Sequence, residues 1–202
     1  EIIVPFRADM PDIVMQALIK KSGLDIKNDF KLQYVATPVD AMQMLILRRA
    51  DHALLAEPAI SIALRKTGSF PVKLIAPDLY RSINLQEEWG RLYKIEAKIP
   101  QAGLAIIGDT NGKEELISKV LAEYDKSLAW YKNNKEEASK LVVKTLPMLE
   151  EKGLADSIEH VRFENINAIN SKKDLEFFFD ILMQNDSKLI GGKLPNEDFY
   201  YK

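Results

Sequence analysis

Polar residues that could bind a ligand follow three short apolar segments. They are Arg7, Asp9 and Met10 after Ile2–Phe6, Thr37 after Leu32–Val35, and Glu57 after Ala53–Ala56. Parallel strands would bring these residues to one edge of a sheet, where open α/β sheets bind ligands. Arg7 could donate charged hydrogen bonds beside free helix N–H groups, the Thr37 hydroxyl could face the ligand, and Glu57 could accept from a cationic or amine-bearing group. The pattern predicts a small-molecule site.

Each of these residues also has a purely structural interpretation, and the sequence leaves both open. Asp9 could cap the helix that follows it, with Arg7 solvated. Thr37 could cap the helix that begins at Pro38, and a cap at a cleft would still present its hydroxyl. Glu57 could complement the N-terminus of the next helix or serve as a hinge partner.

The stretch from residue 77 to 102 is irregular, polar and aromatic. Tyr80 and Trp89 could stack on a ring-bearing ligand, or pack beneath a long loop. Gln101 could lie near a hinge or be a solvated linker residue. Together with the acceptor on Glu57, the aromatic residues favour a nitrogen heteroaromatic compound as the ligand, with a small anion as the alternative.

The composition argues against catalysis and against nucleic-acid binding. The 202 residues include no cysteine, which excludes disulfides, thiol nucleophiles and cysteine zinc sites. His52, beside Asp51, has no spaced second ligand, and His160 is expected at the surface. No phosphate-binding glycine loop and no known hydrolase motif occurs. The net charge of −2 creates no field that would attract nucleic acid. We therefore predict no catalytic residue, no metal and no cofactor.

Apolar runs and capping residues predict an α/β fold. We expect strands at residues 2–6, 32–35, 53–56, 72–76 and 103–108. We expect helices over about 10–21, 38–49, 60–67, 117–131, 135–145 and 148–154, and one that begins at 171–174. Alternation of strand and helix in the first part implies a parallel or mixed sheet flanked by helices.

The two halves of the sequence predict different architectures. Residues 1–102 are expected to form the α/β lobe that binds ligand, and residues 103–202 one strand followed mainly by helices. So many helices with so little sheet should pack on a second sheet built from residues outside this chain. Because the chain opens directly on an apolar strand, we expect that the N-terminal part of a longer protein is missing. Two copies could also pair through the uncovered apolar surface, as a homodimer of incomplete chains.

Several motifs carry a resemblance to a known family. They are Gly23-Leu24-Asp25, Thr37-Pro38-Val39-Asp40-Ala41, the segment from Arg49 to Pro58, Ile99-Pro100-Gln101-Ala102-Gly103-Leu104, and Ile190-Gly191-Gly192-Lys193-Leu194-Pro195. The chain resembles type II periplasmic solute-binding proteins, most closely the group for nitrate, sulfonates and thiamine-pyrimidine precursors. Where that family usually has Gly-x-x-Asp-Ala, this chain has Arg-Ala-Asp-His, so the turn glycine is absent.

The resemblance implies two α/β lobes joined by a hinge that close on a solute and deliver it to the membrane permease of an ABC-type importer. Residues 1–102 would be the second lobe, and residues 103–202 would return to the first. It further implies an extracytoplasmic location, in the periplasm or as a cell-surface lipoprotein. Two other classes stay open: an enzyme of cofactor biosynthesis on the same fold, and an effector-sensing domain of the LysR type, which would show a second alternating half.

Overall fold

The computed structural model describes residues 1–201, which form two compact units. One unit contains Glu1–Gln101 and Ile166–Lys202, and the other contains Ala102–Asn165. The first division lies beside the predicted boundary at residue 102. From Ile166 onwards, however, the chain groups with the α/β part instead of with the second half of the sequence. The assignment of these units to two lobes stays a prediction.

The sheet of the first unit is small and parallel. Strand β1 (Ile2–Pro5) pairs with β2 (Leu32–Val35), in register from Ile2 opposite Leu32 to Pro5 opposite Val35. On the other side of β1, Ala53 forms a single parallel bridge with Ile3. Its hydrogen bonds run from Ile3 N to the His52 carbonyl (3.0 Å) and from Leu54 N to the Ile3 carbonyl (2.8 Å). The predicted third strand is therefore reduced to one bridge, and β1 is central.

Nine helices accompany this sheet in the described part of the chain. In the first unit they are α1 (Met10–Lys21), α2 (Ile26–Asp29), α3 (Pro38–Ile46), α4 (Ala59–Gly68), α5 (Leu85–Tyr93) and α9 (Lys172–Asn185); in the second they are α6 (Glu114–Asn133), α7 (Lys135–Thr145) and α8 (Glu151–Ser157). Short 3-10 helices cover Val72–Leu74, Ile158–His160, Ser187–Ile190 and Glu197–Phe199.

Helix α1 lies between the sheet and a helical layer, because two of its faces are apolar. On one face Met15 and Ile19 pack against Val4 of β1. On the other face Val14 and Leu18 join a core that α5 and α9 complete; its further buried members are Trp89, Ile99, Phe178 and Ile181. Helix α3 also packs against β1, which is fully buried at Ile3 and Val4. Strand β1 therefore contacts both α1 and α3.

Two predicted strands are absent from the described structure. Val72–Leu74 form a 3-10 helix instead, and Ala76 N donates to the Val72 carbonyl (2.9 Å) in the turn that follows. A short apolar run does not distinguish a strand from a helical turn by periodicity alone. Residues 103–108 lie exposed, and no backbone hydrogen bond joins them to another described segment. A strand needs a hydrogen-bonding partner, so apolar composition alone did not suffice there.

The segment predicted to be irregular contains helix α5. Asn84 caps it by accepting from Gln86 N (3.0 Å), Glu87 and Glu88 lie in its first turn, and Arg91 lies in its last. Gly90 allows the chain to fold back closely, since a Cβ there would come within 2.9 Å of the Ala97 Cα. This helix places Trp89 in the core, which corrects the expectation of a loop.

The second unit contains α6, α7 and α8. Helices α7 and α8 pack together around the buried Ala138 and Leu154. Helix α6, by contrast, buries none of its residues. Its large apolar side chains Leu116, Val120, Tyr124 and Trp130 are exposed. Other apolar residues of its stripe are half-buried, namely Ile117, Leu121, Leu128 and Tyr131. The Tyr131 ring lies 5.4 Å from that of Phe163, measured between ring centres, so this unit covers the stripe in part.

The N-terminus of α3 permits a direct test of the capping role predicted for Thr37. Thr37 and Asp40 form a capping box, in which Asp40 N donates to the Thr37 hydroxyl oxygen (3.2 Å) and Thr37 N donates to the Asp40 carboxylate (2.9 Å). We expect Thr37→Val to lower the free energy of unfolding by about 1 kcal/mol, because a helix N–H loses its acceptor. Thr37→Ser keeps a hydroxyl acceptor and should change the free energy of unfolding by only a few tenths of a kcal/mol. Urea titrations followed by circular dichroism compare the two, and equal losses would contradict the capping role.

Candidate functional site

The topology brings three chain ends to one edge of the sheet. Because β1 and β2 are parallel and end together at Pro5 and Val35, the segments Phe6–Asp9 and Ala36–Thr37 leave the sheet side by side. The segment after Ala53 runs parallel to β1 as well, so Glu57 follows at the same edge. We call Phe6–Asp9, Ala36–Thr37 and Glu57 the carboxyl edge. It gathers the sites predicted from the three apolar segments, while their binding of a ligand stays a prediction.

The loop at the end of β1 has an unusual backbone. Phe6 and Ala8 adopt left-handed conformations, with φ of 55° and 62°. Phe6 N donates to the Val35 carbonyl (3.2 Å), and Asp9 N donates to the Phe6 carbonyl (3.2 Å). Residues with a Cβ in this region each cost about 1 kcal/mol or more, and such residues persist only where their surroundings hold them.

A buried carboxylate supports this loop. Asp12 is 1% exposed, and its Oδ2 accepts from Ala8 N (2.8 Å). Its Oδ1 accepts from Gln16 Nε2 (2.8 Å) and from the Tyr34 hydroxyl (3.3 Å). Burial, followed by the negative charge of Asp12, raises the pKa of Tyr34 above its ordinary value, so the hydroxyl stays protonated and can donate. Asp12 thus connects the loop, helix α1 and strand β2.

Sequence reasoning missed Asp12 and its partners Gln16 and Tyr34. One signal was available, because a carboxylate directly before Ile13 and Val14 lies next to the apolar stripe of its helix. A buried carboxylate requires hydrogen-bond donors. Those donors include Ala8 N and the hydroxyl of a residue 22 positions away, which no local pattern indicates.

Arg7 is exposed at the tip of the loop. Its guanidinium carbon lies 5.2 Å from the centre of the Tyr34 ring, a cation–π distance. Among residues 1–201 no carboxylate or carbonyl engages this guanidinium, so its N–H groups are free to donate. Arg7 therefore lies at the end of β1 with its donors available, while its role as a charged donor to a ligand stays a prediction.

The structural interpretations account for the neighbouring predicted residues. Asp9 is the N-cap of α1, and its carboxylate accepts from Met10 N (2.8 Å). The side chain of Met10 packs against the core that contains Trp89. The Thr37 hydroxyl donates to Asp40 (2.7 Å) within its capping box. A ligand at the carboxyl edge would find these polar groups already hydrogen-bonded.

Glu57 is engaged by the protein as well. Its side chain is 9% exposed, and one oxygen accepts from Arg81 Nη2 (2.6 Å) while the other accepts from Ser61 N (3.1 Å). Arg81 also donates to the Ser61 hydroxyl (2.9 Å). Glu57 therefore complements the N-terminus of α4 and pairs with a cation. The acceptor that had favoured a cationic or amine-bearing ligand thus already has protein donors, while contact between Glu57 and a ligand stays a prediction.

The three remaining predicted residues lie in different environments. Tyr80 is 79% exposed, whereas Trp89 is 1% exposed and belongs to the core. The Trp89 ring lies 4.7 Å from that of Tyr93 and 5.6 Å from that of Phe177, measured between ring centres. Aromatic neighbours thus occupy the ring surface that was expected to stack on a ligand. Gln101 is exposed at the point where the chain leaves the first unit.

A separate groove lies within the second unit. Its volume is ≈ 520 Å³, and it is lined by Lys126, Ser127, Trp130, Tyr131, Ala138, Leu141 and Val142 of α6 and α7. The predicted site residues all lie outside it. Across the described chain, the structure assembles no cluster of three side chains suited to hold a metal ion. Among residues 1–201, no helix combines the length and the apolar character that crossing a membrane requires.

Comparison with known proteins yields a fold relationship. No protein-family model matches this chain, and no curated protein matches it significantly. The structure is similar to a crystal structure described as an ABC transporter from Parabacteroides distasonis, with a TM-score of 0.73 and 20% sequence identity. The similarity covers 100% of this chain and 66% of that one, so the present chain spans just under two thirds of the neighbour's length. The two proteins share a fold over the whole of this chain.

Proposed function

We propose that this chain is the solute-binding part of an ABC-type import system, which binds a small molecule and delivers it to a membrane permease. One observation carries the proposal: three chain ends, at Arg7, Thr37 and Glu57, meet at the carboxyl edge of a parallel sheet. Ligands of α/β folds bind at such edges. The fold shared with a protein described as an ABC transporter supports the transport assignment. The proposal includes action outside the cytoplasm and no chemical conversion of the solute.

The positions of the titratable residues favour binding over catalysis at this edge. The enzymatic alternative needs a histidine or carboxylate that is free to act as a base. Glu57 is held by Arg81 and by Ser61 N, and Asp12 is held by its own donors. His52 precedes the bridge at Ala53 whereas Glu57 follows it, so His52 lies towards the opposite edge.

The test is a thermal-shift screen of the full 202-residue chain, followed by calorimetry of the hits. The panel contains taurine, benzoate, nitrate, sulfate, thiamine and 4-aminopyrimidine. We expect at least one compound to raise the melting temperature progressively with concentration, because a ligand at 100 times its Kd stabilises by about 2.7 kcal/mol. Chromatography of the incubated mixture should return that compound unchanged. Consumption of the compound would favour the enzymatic alternative, and a panel without any stabilising compound would contradict solute binding.

A further inference from the structure

We propose that Arg7 binds an anionic group of the solute, a carboxylate or sulfonate, and that Asp12 positions Arg7 for this contact. The inference rests on the proposed function and adds the chemical class of the solute. Arg7 is the residue expected to touch the ligand. Asp12, Gln16 and Tyr34 act only through Arg7, by holding the backbone of its loop and the ring beneath its guanidinium.

The charge of Arg7 is held in place while its N–H donors remain available. The guanidinium lies over the Tyr34 ring, and a cation–π contact restrains the cation without consuming its hydrogen-bond donors. Guanidinium groups bind carboxylates and similar oxyanions through two parallel N–H donors. The other arginine at this edge, Arg81, already has the carboxylate of Glu57 as its partner. Arg7 can therefore still pair with a ligand, whereas Arg81 already has a carboxylate partner.

The loop and the ring beneath Arg7 are hydrogen-bonded to one buried carboxylate. Arg7 lies between two residues with positive φ, Phe6 and Ala8. The buried Asp12 accepts from Ala8 N and, through its other oxygen, from the hydroxyl of Tyr34. Tyr34 is also the residue whose ring lies beneath the Arg7 guanidinium. One carboxylate thus fixes both the backbone that presents Arg7 and the ring beneath it. Strained backbone held by a buried charge is typical of sites that must be preorganised.

Two of the observations that favoured a nitrogen heteroaromatic solute are accounted for within the protein, whereas Tyr80 remains exposed. Glu57 was the expected acceptor, and it is paired with Arg81. Trp89 was an expected stacking surface, and it lies in the core. The remaining charged group next to Arg7 that faces solvent is Asp9, which caps α1. An anion must approach this carboxylate, so Asp9 supplies a test of the sign of the ligand charge.

The primary experiment measures affinity by calorimetry at low salt. Benzoate, an anion, and taurine, a zwitterion that carries a sulfonate, are the probes with an anionic group, and thiamine and 4-aminopyrimidine are the cationic or neutral probes. We expect a probe with an anionic group to bind the full chain. Arg7→Gln should lower the affinity for this probe at least about tenfold, because one charged pair is lost. Lys31→Gln is the control, because it removes the same charge from the exposed Lys31–Glu1 pair at the opposite edge. This substitution should leave the affinity unchanged. Asp9→Asn keeps the helix cap but removes a negative charge, so the affinity for benzoate should rise by about twofold to fivefold.

The positioning role of Asp12 is measured by a double-mutant cycle and by amide exchange. Asp12→Asn should weaken the anionic probe several-fold in the wild-type background and speed hydrogen exchange at the Ala8 amide. In the Arg7→Gln background the same change should have no further effect on affinity, since Asp12 acts only through Arg7. Tyr34→Phe keeps the ring and should give a smaller effect in the same direction, even if Asp12→Asn fails to fold. Equal effects in both backgrounds, or Ala8 exchange unchanged by Asp12→Asn, would overturn the positioning role.

The outcomes separate this inference from the proposed function. If thiamine or 4-aminopyrimidine binds the chain and neither anionic probe does, the anion assignment fails while solute binding stands. If an anionic probe binds but Arg7→Gln leaves its affinity unchanged, Arg7 is not the contact. If no probe binds, both proposals fail.

Discussion

Replacing Trp89 with alanine should lower the free energy of unfolding of the first unit by about 3–5 kcal/mol, the usual loss for a large aromatic side chain in a core. Trp89 is 1% exposed and lies among Val14, Leu18, Ile99 and Ile181, with the rings of Tyr93 and Phe177 against its own. Removing it leaves a cavity between α1, α5 and α9 that these neighbours cannot fill without moving. Urea unfolding followed by circular dichroism measures the loss.

The second tryptophan of the chain supplies the matched control. Trp130 is 43% exposed on α6, so Trp130→Ala should cost no more than about 1 kcal/mol. Because the chain has two tryptophans, the fluorescence of each single variant also reports on the other residue. Trp89 should emit at shorter wavelength than Trp130, since its ring is shielded from water. Equal stability losses for the two variants would contradict the core position of α5.

Asp12→Ala should cost about 2–3 kcal/mol, the second largest effect we expect. The substitution leaves Ala8 N, Gln16 Nε2 and the Tyr34 hydroxyl without their common acceptor. These bonds are part-buried. A donor that loses its acceptor away from water costs about 1–3 kcal/mol, and the left-handed Ala8 loses its support as well. Chemical denaturation again provides the measurement.

Asp9→Ala is the control for this substitution, because both aspartates lie at the start of α1. Asp9 is exposed and accepts only from Met10 N, so its loss should cost about 1 kcal/mol. A cost for Asp12→Ala no larger than that of Asp9→Ala would mean that the buried network contributes little. The pKa of Tyr34 provides a second readout: it should fall towards its ordinary value in Asp12→Ala, because the negative charge of Asp12 helps to raise it.

The helices whose signals are local could be predicted from the sequence. The caps Asp9 and Thr37 mark the starts of α1 and α3, and the structure confirms both. Alternation of strand and helix predicted a parallel or mixed sheet, and the parallel pairing of β1 with β2 agrees with it. Helix α5 carried comparable signals in its Asn84 cap and in apolar residues at helical spacing. The prediction failed there because the aromatic composition of the segment was given more weight than its periodicity.

Non-local partners account for most of what the sequence did not reveal. Residues 103–108 have the composition of a buried strand, yet a strand depends on a second backbone, and none of the described segments pairs with it. Glu57 could be recognised as unusual, but its partner Arg81 lies 24 positions away. The role of Asp12 likewise depends on Tyr34, across a strand and a helix. Local propensity carries no information about such contacts.

The most direct test of solute binding at the carboxyl edge is to map amide chemical shifts while the tightest-binding compound of the panel is added to the full chain. We expect the shifts to concentrate at Phe6–Asp9, Ala36–Thr37 and Glu57. The opposite edge, at Glu1 and Lys31, should stay unchanged. Shifts concentrated at that opposite edge or in the groove of the second unit would contradict the proposed site, and the absence of any shift would contradict solute binding itself.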